Sequence, residues 1–221
     1  MPRHQRFSSA GYVFHVVNRG AGRQSLFDDE ADYDQFVALL EQARQRVAMQ
    51  MLAYCLMPNH FHLLLWPTTD DSLSDYLHWL TTTHSQRRHA KLKTTGTGPI
   101  YQGRFKSFPV QDDDHFLTVA RYVERNALRA NLVQRAEHWK WSSLWQVHHQ
   151  RSDIPLAVWP VARGSEWLKF VNEPQTDSEL STIRHSVRTG RPYGTSEWCR
   201  TTAQTLGLES TLRTRGNPGR F

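Results

Sequence analysis

Two histidines interrupt a run of apolar residues, and this stretch constrains the fold of the chain more than any other. His60 and His62 lie two positions apart within residues 57–66. The apolar residues that alternate with them are Phe61, Leu63 and Leu65. Because strand side chains alternate between two faces, we predict a strand with both imidazoles on one face and these apolar side chains on a core. Pro58-Asn59 is typical of a turn, which would pair this strand antiparallel with residues 51–56.

Two neutral imidazoles on one sheet face are a ready pair of metal ligands. Spacing alone does not establish a site, because 12 histidines among 221 residues give roughly 0.6 such pairs by chance. The strand context adds weight, since a buried imidazole costs free energy unless it has a partner. We therefore interpret His60 and His62 as metal ligands, with ordinary packing as the alternative.

Hydrophobic periodicity along the chain predicts an α+β fold. Alternating residues predict strands at 11–18, 51–56 and 100–110, in addition to the histidine strand. Helical spacing predicts helices that begin at Asp28 or Asp29, at Ser72 and at Asp112 to Asp114; the last two run to Lys93 and to about Val133. The strand at 100–110 would carry Gln102, Arg104 and Lys106 on one face, which suits a nucleic-acid platform.

The last of these helices carries two polar residues one turn apart. Tyr122 and Asn126 are four positions apart, so they stack on one helix surface. A tyrosine beside an apolar arc is most often a packing residue, and a catalytic role is the alternative. The two histidines and the Asn126 amide would give Mg²⁺ or Mn²⁺ three ligands, leaving positions for phosphate and water. A phenol could then attack the phosphorus and form a covalent tyrosyl intermediate.

Charge and composition favour a polyanionic partner. The net charge is +6 and the sequence pI is about 9.6. Basic residues crowd the end of the helix at 72–93, where either the helix dipole or nucleic acid would explain them. The two cysteines provide no disulfide framework. The absence of a signal peptide and of a long apolar run predicts a cytoplasmic location without a membrane contact.

Four linked motifs resemble those of the single-tyrosine HUH transposases, and in particular the REP-associated tyrosine transposases. They are residues 57–62 (MPNHFH), 101–106 (YQGRFK), 121–130 (RYVERNALRA) and 141–143 (WSS). The resemblance runs from about Gly11 to Trp145 in the order typical of the family.

This resemblance implies a ferredoxin-like antiparallel sheet with helices packed on one face and the histidine pair on its central strand. It implies that His60, His62 and Asn126 bind a divalent cation, Mg²⁺ or Mn²⁺, and that Tyr122 is the nucleophile. Cleavage would leave a 5′-phosphotyrosine and a 3′-hydroxyl. Relatives often carry glutamine at the third ligand position, so His115 and Asp114 are alternatives to Asn126.

The implied substrate is single-stranded DNA beside a palindromic REP hairpin, cleaved and rejoined in DNA transposition. The residues predicted to bind DNA are Arg19, Arg104, Lys106, Arg125, Arg129 and Arg191. We predict a catalytic domain at 1–150 and a C-terminal helical and loop extension at 151–221 that contacts the hairpin. The extension would contain helices at 178–188 and 196–208 and a basic tail at 216–221. A monomer is expected, with a dimer as the alternative.

Two other functions compete with this prediction. A hairpin-binding protein without catalysis would explain the positive charge equally well. A small-molecule metalloenzyme with a cupin-like barrel could use the histidine pair, but that fold requires many short strands and no long helices.

Overall fold

Four antiparallel strands form one sheet, whose spatial order is β2-β3-β1-β4. The computed structural model describes residues 10–213, so the basic tail predicted at 216–221 lies outside the described residues. The strands are β1 (Val13–Arg19), β2 (Met49–Met57), β3 (His60–Pro67) and β4 (Lys106–Val110). β3 pairs with both β1 and β2, so the histidine strand is central, as predicted. This is the predicted α+β, ferredoxin-like sheet, and the cupin-like alternative is wrong.

Two long helices cover one face of the sheet. They are α1 (Glu30–Arg46) and α2 (Ser72–Leu92), and Asp29 caps α1 by accepting the Asp32 N–H. Their apolar sides bury Phe36, Leu40 and Leu77 against Phe61 and Leu63 of β3 in a first hydrophobic cluster. The helices of the βαββαβ unit therefore lie on one face, as predicted.

The basic end of α2 is used for structure. Arg88 is buried and forms ion pairs with Asp28 at 2.6 Å and with Asp32 at 2.9 Å. Lys91 reaches Asp29 and Asp32 at 2.9 and 2.6 Å. These pairs join the C-terminal end of α2 to the N-terminal end of α1.

The opposite face of the sheet is covered by later helices. α3 (Asp114–Glu124) and α4 (Asn126–Arg129) replace the single helix predicted to reach Val133. The chain turns at Asn131, whose φ is 56°, and the N–H of Leu132 bonds back to the carbonyl of Ala127. Asparagine tolerates this left-handed conformation, and the resulting Schellman-type turn ends the helix earlier than periodicity predicts.

The strand predicted at 100–110 is shorter than expected, because β4 begins only at Lys106. Ile100, Tyr101 and Phe105 all bury their side chains in the first hydrophobic cluster. Strict alternation would send the adjacent residues Ile100 and Tyr101 to opposite faces. The chain therefore leaves the strand conformation between them and Phe105, and Arg104 lies in this loop, not on a strand face with Lys106.

Much of the C-terminal part of the described chain packs on the face covered by α3, whereas Ile154 and Leu206 join the first hydrophobic cluster. Its helices are α5 (Ser143–His148), α6 (Trp167–Asn172), α7 (Asp177–Thr189) and α8 (Ser196–Thr205). Trp159, Trp167 and Ile183 join Val119 and Val123 of α3 in a second hydrophobic cluster. The two predicted C-terminal helices are present, whereas the domain boundary at residue 150 stays a prediction. Among the described residues, no helix is long and apolar enough to cross a membrane.

Candidate active site

The two histidines of β3 lie side by side on the face that α3 covers. Their ring centroids are 5.0 Å apart with the ring planes at 81°. Burial, followed by the nearby charges of Arg19 and Arg129, lowers the pKa of His60 to about 4. Burial, followed by the neighbouring imidazole of His60, lowers the pKa of His62 well below its usual value. Both rings are therefore neutral at neutral pH, which is the form that binds a metal ion.

One nitrogen of each ring is already engaged. The Nδ1 of His60 lies 2.7 Å from the Oδ1 of Asn59, which can only accept, so this Nδ1 carries the hydrogen. The Nδ1 of His62 lies 2.9 Å from the Nε2 of His15. The Nε2 atoms are consequently the nitrogens left for a ligand, the arrangement usual for histidines held by outer partners.

Tyr122 of α3 lies against this pair. Its ring centroid is 5.6 Å from that of His62, and the two rings meet edge to face at 87°. The tyrosine side chain is largely buried. Residues 60 positions apart in the sequence are thus brought together by the packing of α3 on the sheet.

Arg129 and Asn126 complete the buried cluster around Tyr122. The guanidinium carbon of Arg129 lies 4.2 Å from the centroid of the Tyr122 ring. Its Nη2 donates to the Oδ1 of Asn126 at 2.9 Å. Within the described residues, the Nη1 of Arg129 and the Nδ2 of Asn126 are buried without a hydrogen-bond partner. Buried donors without partners are costly, so a ligand with acceptor oxygens would satisfy this site.

The residues fit a divalent cation through the imidazole pair. In the part of the chain that the structure describes, no three His, Cys, Asp or Glu side chains form a metal-binding group. The amide oxygen of Asn126, the predicted third ligand, accepts from Arg129. His115 and Asp114 lie at the start of α3, about 10 to 12 Å along its axis from Tyr122.

Three of the predicted DNA-binding side chains line one groove. Arg19, Arg104 and Lys106 surround a cavity of about 350 Å³ next to Val17 and Asn18 of β1. Val17 pairs with His62 on one side and with Lys106 on the other, so the groove opens beside the histidine pair. A cationic groove of this kind suits a phosphate backbone.

The other predicted arginines lie elsewhere. The Nη1 of Arg125 donates to the carbonyls of Val171 and Asn172 at 2.9 and 2.5 Å, which satisfies the end of α6. Arg191 lines a separate cleft of about 870 Å³ between α7, α8 and the start of α3. Arg184, Arg188, His185 and His115 line the same cleft.

Sequence reasoning missed His15 and Asn59 as partners of the histidine pair. Alternation does put His15 on one face of β1 together with Val13 and Val17. That signal could not show that His15 and His62 lie on the same face of the sheet, because the register between β1 and β3 is fixed only in the folded sheet.

Comparison with known proteins shows which family the chain is similar to. Residues 8–126, more than half of the chain, match the family described as Transposase IS200 like. A Haemophilus influenzae protein assigned as a REP-associated tyrosine transposase is 24% identical over 167 residues, which cover 70% of this chain and 88% of that protein. The solved structure of a REP-associated tyrosine transposase bound to a REP hairpin has a TM-score of 0.54 at 18% identity, covering 70% of this chain and 89% of the other. A Deinococcus radiodurans R1 protein assigned as a transposase has a TM-score of 0.40 at 19% identity, covering 56% of this chain and 96% of that one.

Proposed function

The chain belongs to the IS200-like transposase family of DNA-cleaving and strand-joining enzymes, and we propose that it is a metal-dependent single-strand DNA endonuclease and strand transferase. In this proposal it acts on DNA beside REP-type hairpins through a covalent 5′-phosphotyrosine. The observation that carries the proposal is the contact of Tyr122 with His62, whose strand neighbour His60 shares the same face.

In the covalent step, the scissile phosphate is transferred from a 3′ oxygen of the DNA to the tyrosine. The phenolic oxygen of Tyr122 attacks the phosphorus, the P–O3′ bond breaks, and the tyrosine oxygen becomes bonded to the 5′ phosphate. The proton that the phenol loses is balanced by the proton that the departing 3′ oxygen gains. Attack by another 3′-hydroxyl reverses the step and releases the tyrosine, so the bond energy is kept for joining.

His60, His62 and Asn126 would hold Mg²⁺ or Mn²⁺, which supplies polarisation of the scissile phosphate. Arg129 has a separate role in the proposal. Its unpartnered Nη1 is placed to donate to a phosphate oxygen, and its positive charge above the Tyr122 ring stabilises negative charge on the phenolic oxygen. The oxygen of Asn126 would be available to the cation if a phosphate oxygen took its place as the acceptor of Arg129.

The proposed substrate follows from the family and from the distribution of charge. The solved relative is described as bound to a REP hairpin. In this chain, the groove lined by Arg19, Arg104 and Lys106 would hold the single strand beside the phenol. The cleft next to α7 and α8 is lined, among the described residues, by Arg184, Arg188 and Arg191 and by no aspartate or glutamate, which suits the phosphates of the hairpin stem.

The same proposal assigns catalysis to residues 1–150 and stem contact to the extension at 151–221. We expect a monomer located in the cytoplasm. Arg125 is the weakest of the DNA-binding assignments, because its guanidinium already bonds to the carbonyls that end α6.

Trapping of the covalent adduct tests the proposal. The protein is incubated with Mg²⁺ or Mn²⁺ and a hairpin oligonucleotide labelled at its 3′ end. The label should become covalently attached to the protein. Tyr122→Phe should abolish the adduct. Tyr33→Phe is a matched control, because Tyr33 is as buried as Tyr122 but lies in α1 on the other side of the sheet. The released fragment should end in a 3′-hydroxyl that a polymerase can extend. If Tyr122→Phe forms the adduct in undiminished yield, the assignment of Tyr122 as the nucleophile is refuted.

One observation favours a second candidate, a hairpin-binding protein without catalysis. The amide oxygen of Asn126 is occupied by Arg129, and among the described residues no three His, Cys, Asp or Glu side chains form a group that could hold a metal ion. This candidate predicts tight and salt-sensitive binding of the hairpin with no adduct in either metal ion.

A further inference from the structure

His15 is a fully buried histidine in the candidate active site that the proposed reaction does not use. It lies on β1 opposite Leu64 of β3 and Phe108 of β4. Its ring centroid is 5.1 Å from that of His62, 4.9 Å from that of Phe108 and 6.1 Å from that of Tyr122. It therefore neighbours both a candidate metal ligand and the candidate nucleophile, whose rings also contact each other.

The hydrogen bond between His15 and His62 allows only two arrangements. The Nε2 of His15 and the Nδ1 of His62 are 2.9 Å apart, and both rings are neutral, so one nitrogen donates and the other accepts. If His15 donates, His62 carries its own hydrogen on Nε2, and that nitrogen has no lone pair for a cation. If His62 donates, its Nε2 lone pair is free and points away from His15.

The second arrangement has a cost that falls on His15. With Nε2 accepting, His15 must carry its hydrogen on Nδ1, which has no hydrogen-bond partner among the described residues. A buried N–H without a partner is less favourable than a buried acceptor without one. When His15 donates instead, the hydrogen outside this bond is on the Nε2 of His62, so binding of a cation to that nitrogen would select donation by His62.

We propose that His15 is a positioning residue that accepts the Nδ1–H of His62 and so fixes the Nε2 lone pair of His62 toward the cation; this inference rests on the proposed cation site. The physical reason is the one that applies to outer partners of metal-bound histidines in general. Such partners set the tautomer and the ring orientation, and their loss typically weakens metal binding by about 10- to 100-fold.

Metal affinity in the absence of DNA provides the first test. Mn²⁺ binding to the full-length protein is measured by electron paramagnetic resonance. His15→Phe keeps an aromatic ring but removes the acceptor, and it should weaken Mn²⁺ binding by about 10- to 100-fold. His15→Gln places an amide oxygen near the position of Nε2 and should restore most of the affinity. Phe108→Leu alters packing against the same ring without removing an acceptor, and it should bind Mn²⁺ as the wild type does.

The variants also separate the failure of this inference from the failure of the proposed function. If His60→Ala and His62→Ala weaken Mn²⁺ binding but His15→Phe does not, the role of His15 is refuted and the cation site stands. If Phe108→Leu weakens binding as much as His15→Phe, the effect is one of packing and the inference is wrong. If neither His60→Ala nor His62→Ala weakens binding, the cation site and the inference fail together.

A measurement on the wild-type protein does not depend on the folding of any variant. With ¹⁵N-labelled histidines and saturating Mg²⁺, nuclear magnetic resonance should detect nitrogen–nitrogen coupling across the hydrogen bond from His62 to His15. The shared proton should reside on the Nδ1 of His62. A proton that remains on the Nε2 of His15 in the Mg²⁺-bound protein would overturn the proposal.

Discussion

Lowering the pH from 7 to 5 should destabilise the metal-free protein, and His84 allows the size of this effect to be tested. His84 of α2 is buried, and its ring contacts those of Phe27 and Phe36 in the first hydrophobic cluster. Its Nδ1 lies 2.7 Å from the hydroxyl of Tyr101. Burial, followed by the positive charge of Arg88, lowers its pKa from 6.5 to about 4. Between these values the unfolded chain binds more protons than the folded protein, so stability falls as the pH falls below 6.5.

The magnitude follows from the distance between the two pKa values. A pH of 5 is about 1.5 units below the pKa of His84 in the unfolded chain. His84 should therefore lower the free energy of unfolding at this pH by about 2 kcal/mol. Burial also lowers the pKa of His15 to about 3 and that of His60 to about 4. The three histidines together should remove about 6 kcal/mol at pH 5, which is comparable to the entire stability of an ordinary domain.

Urea denaturation in EDTA at pH 7 and at pH 5 measures this difference. His84→Asn should reduce the change in unfolding free energy between the two pH values by about 2 kcal/mol, whatever its effect at pH 7. His78→Asn is the matched control, because His78 is an exposed residue of the same helix. In this variant, the difference in unfolding free energy between the two pH values should equal that of the wild type. An unaltered pH dependence in His84→Asn, or a wild-type protein more stable at pH 5, would refute the reasoning.

Three further predictions concern the cation, the DNA and the ion pairs. Chelation with EDTA should abolish the adduct and Mn²⁺ should restore it; an adduct that persists in EDTA contradicts the cation site. Lys106→Ala should weaken hairpin binding and reduce the slope of log affinity against log salt by about 0.7 to 1, since one phosphate contact is lost; filter binding that gives an unchanged slope argues against that contact. Arg88→Ala should lower the free energy of unfolding by about 3 kcal/mol, because Asp28 and Asp32 lose a buried partner. A loss below about 1 kcal/mol in urea denaturation would mean that Lys91 compensates.

Local patterns predicted the elements of the fold well where the chain has a clear periodicity. One helix begins after Asp29 as predicted, because a capping carboxylate acts over a short distance. The helix that begins at Ser72 ends at Leu92, one residue before its predicted end. Prediction was least accurate at 100–110 and near Val133. In both places tertiary burial or a left-handed turn overrides the local pattern.

The function of individual charged residues was harder to predict. Arg88 and Lys91 form ion pairs with acidic residues that lie about 60 positions earlier in the chain. Arg125 was grouped with the DNA-binding arginines, yet it bonds to carbonyls of α6. A charged side chain on a helix surface gives no indication in the sequence of which distant segment will pack against it.

The sequence by itself determined that His60 and His62 share a face of one strand, because the side chains of a strand alternate with a period of two residues. It also predicted Tyr122 and Asn126 on one helix surface, whereas the structure places Tyr122 in α3 and Asn126 at the start of α4. Only the tertiary structure decided that α3 covers the histidine face, that His15 meets His62, and that Arg129 lies over the Tyr122 ring. Those contacts depend on strand register and helix packing, which are set by the burial of the whole core rather than by any local stretch of residues.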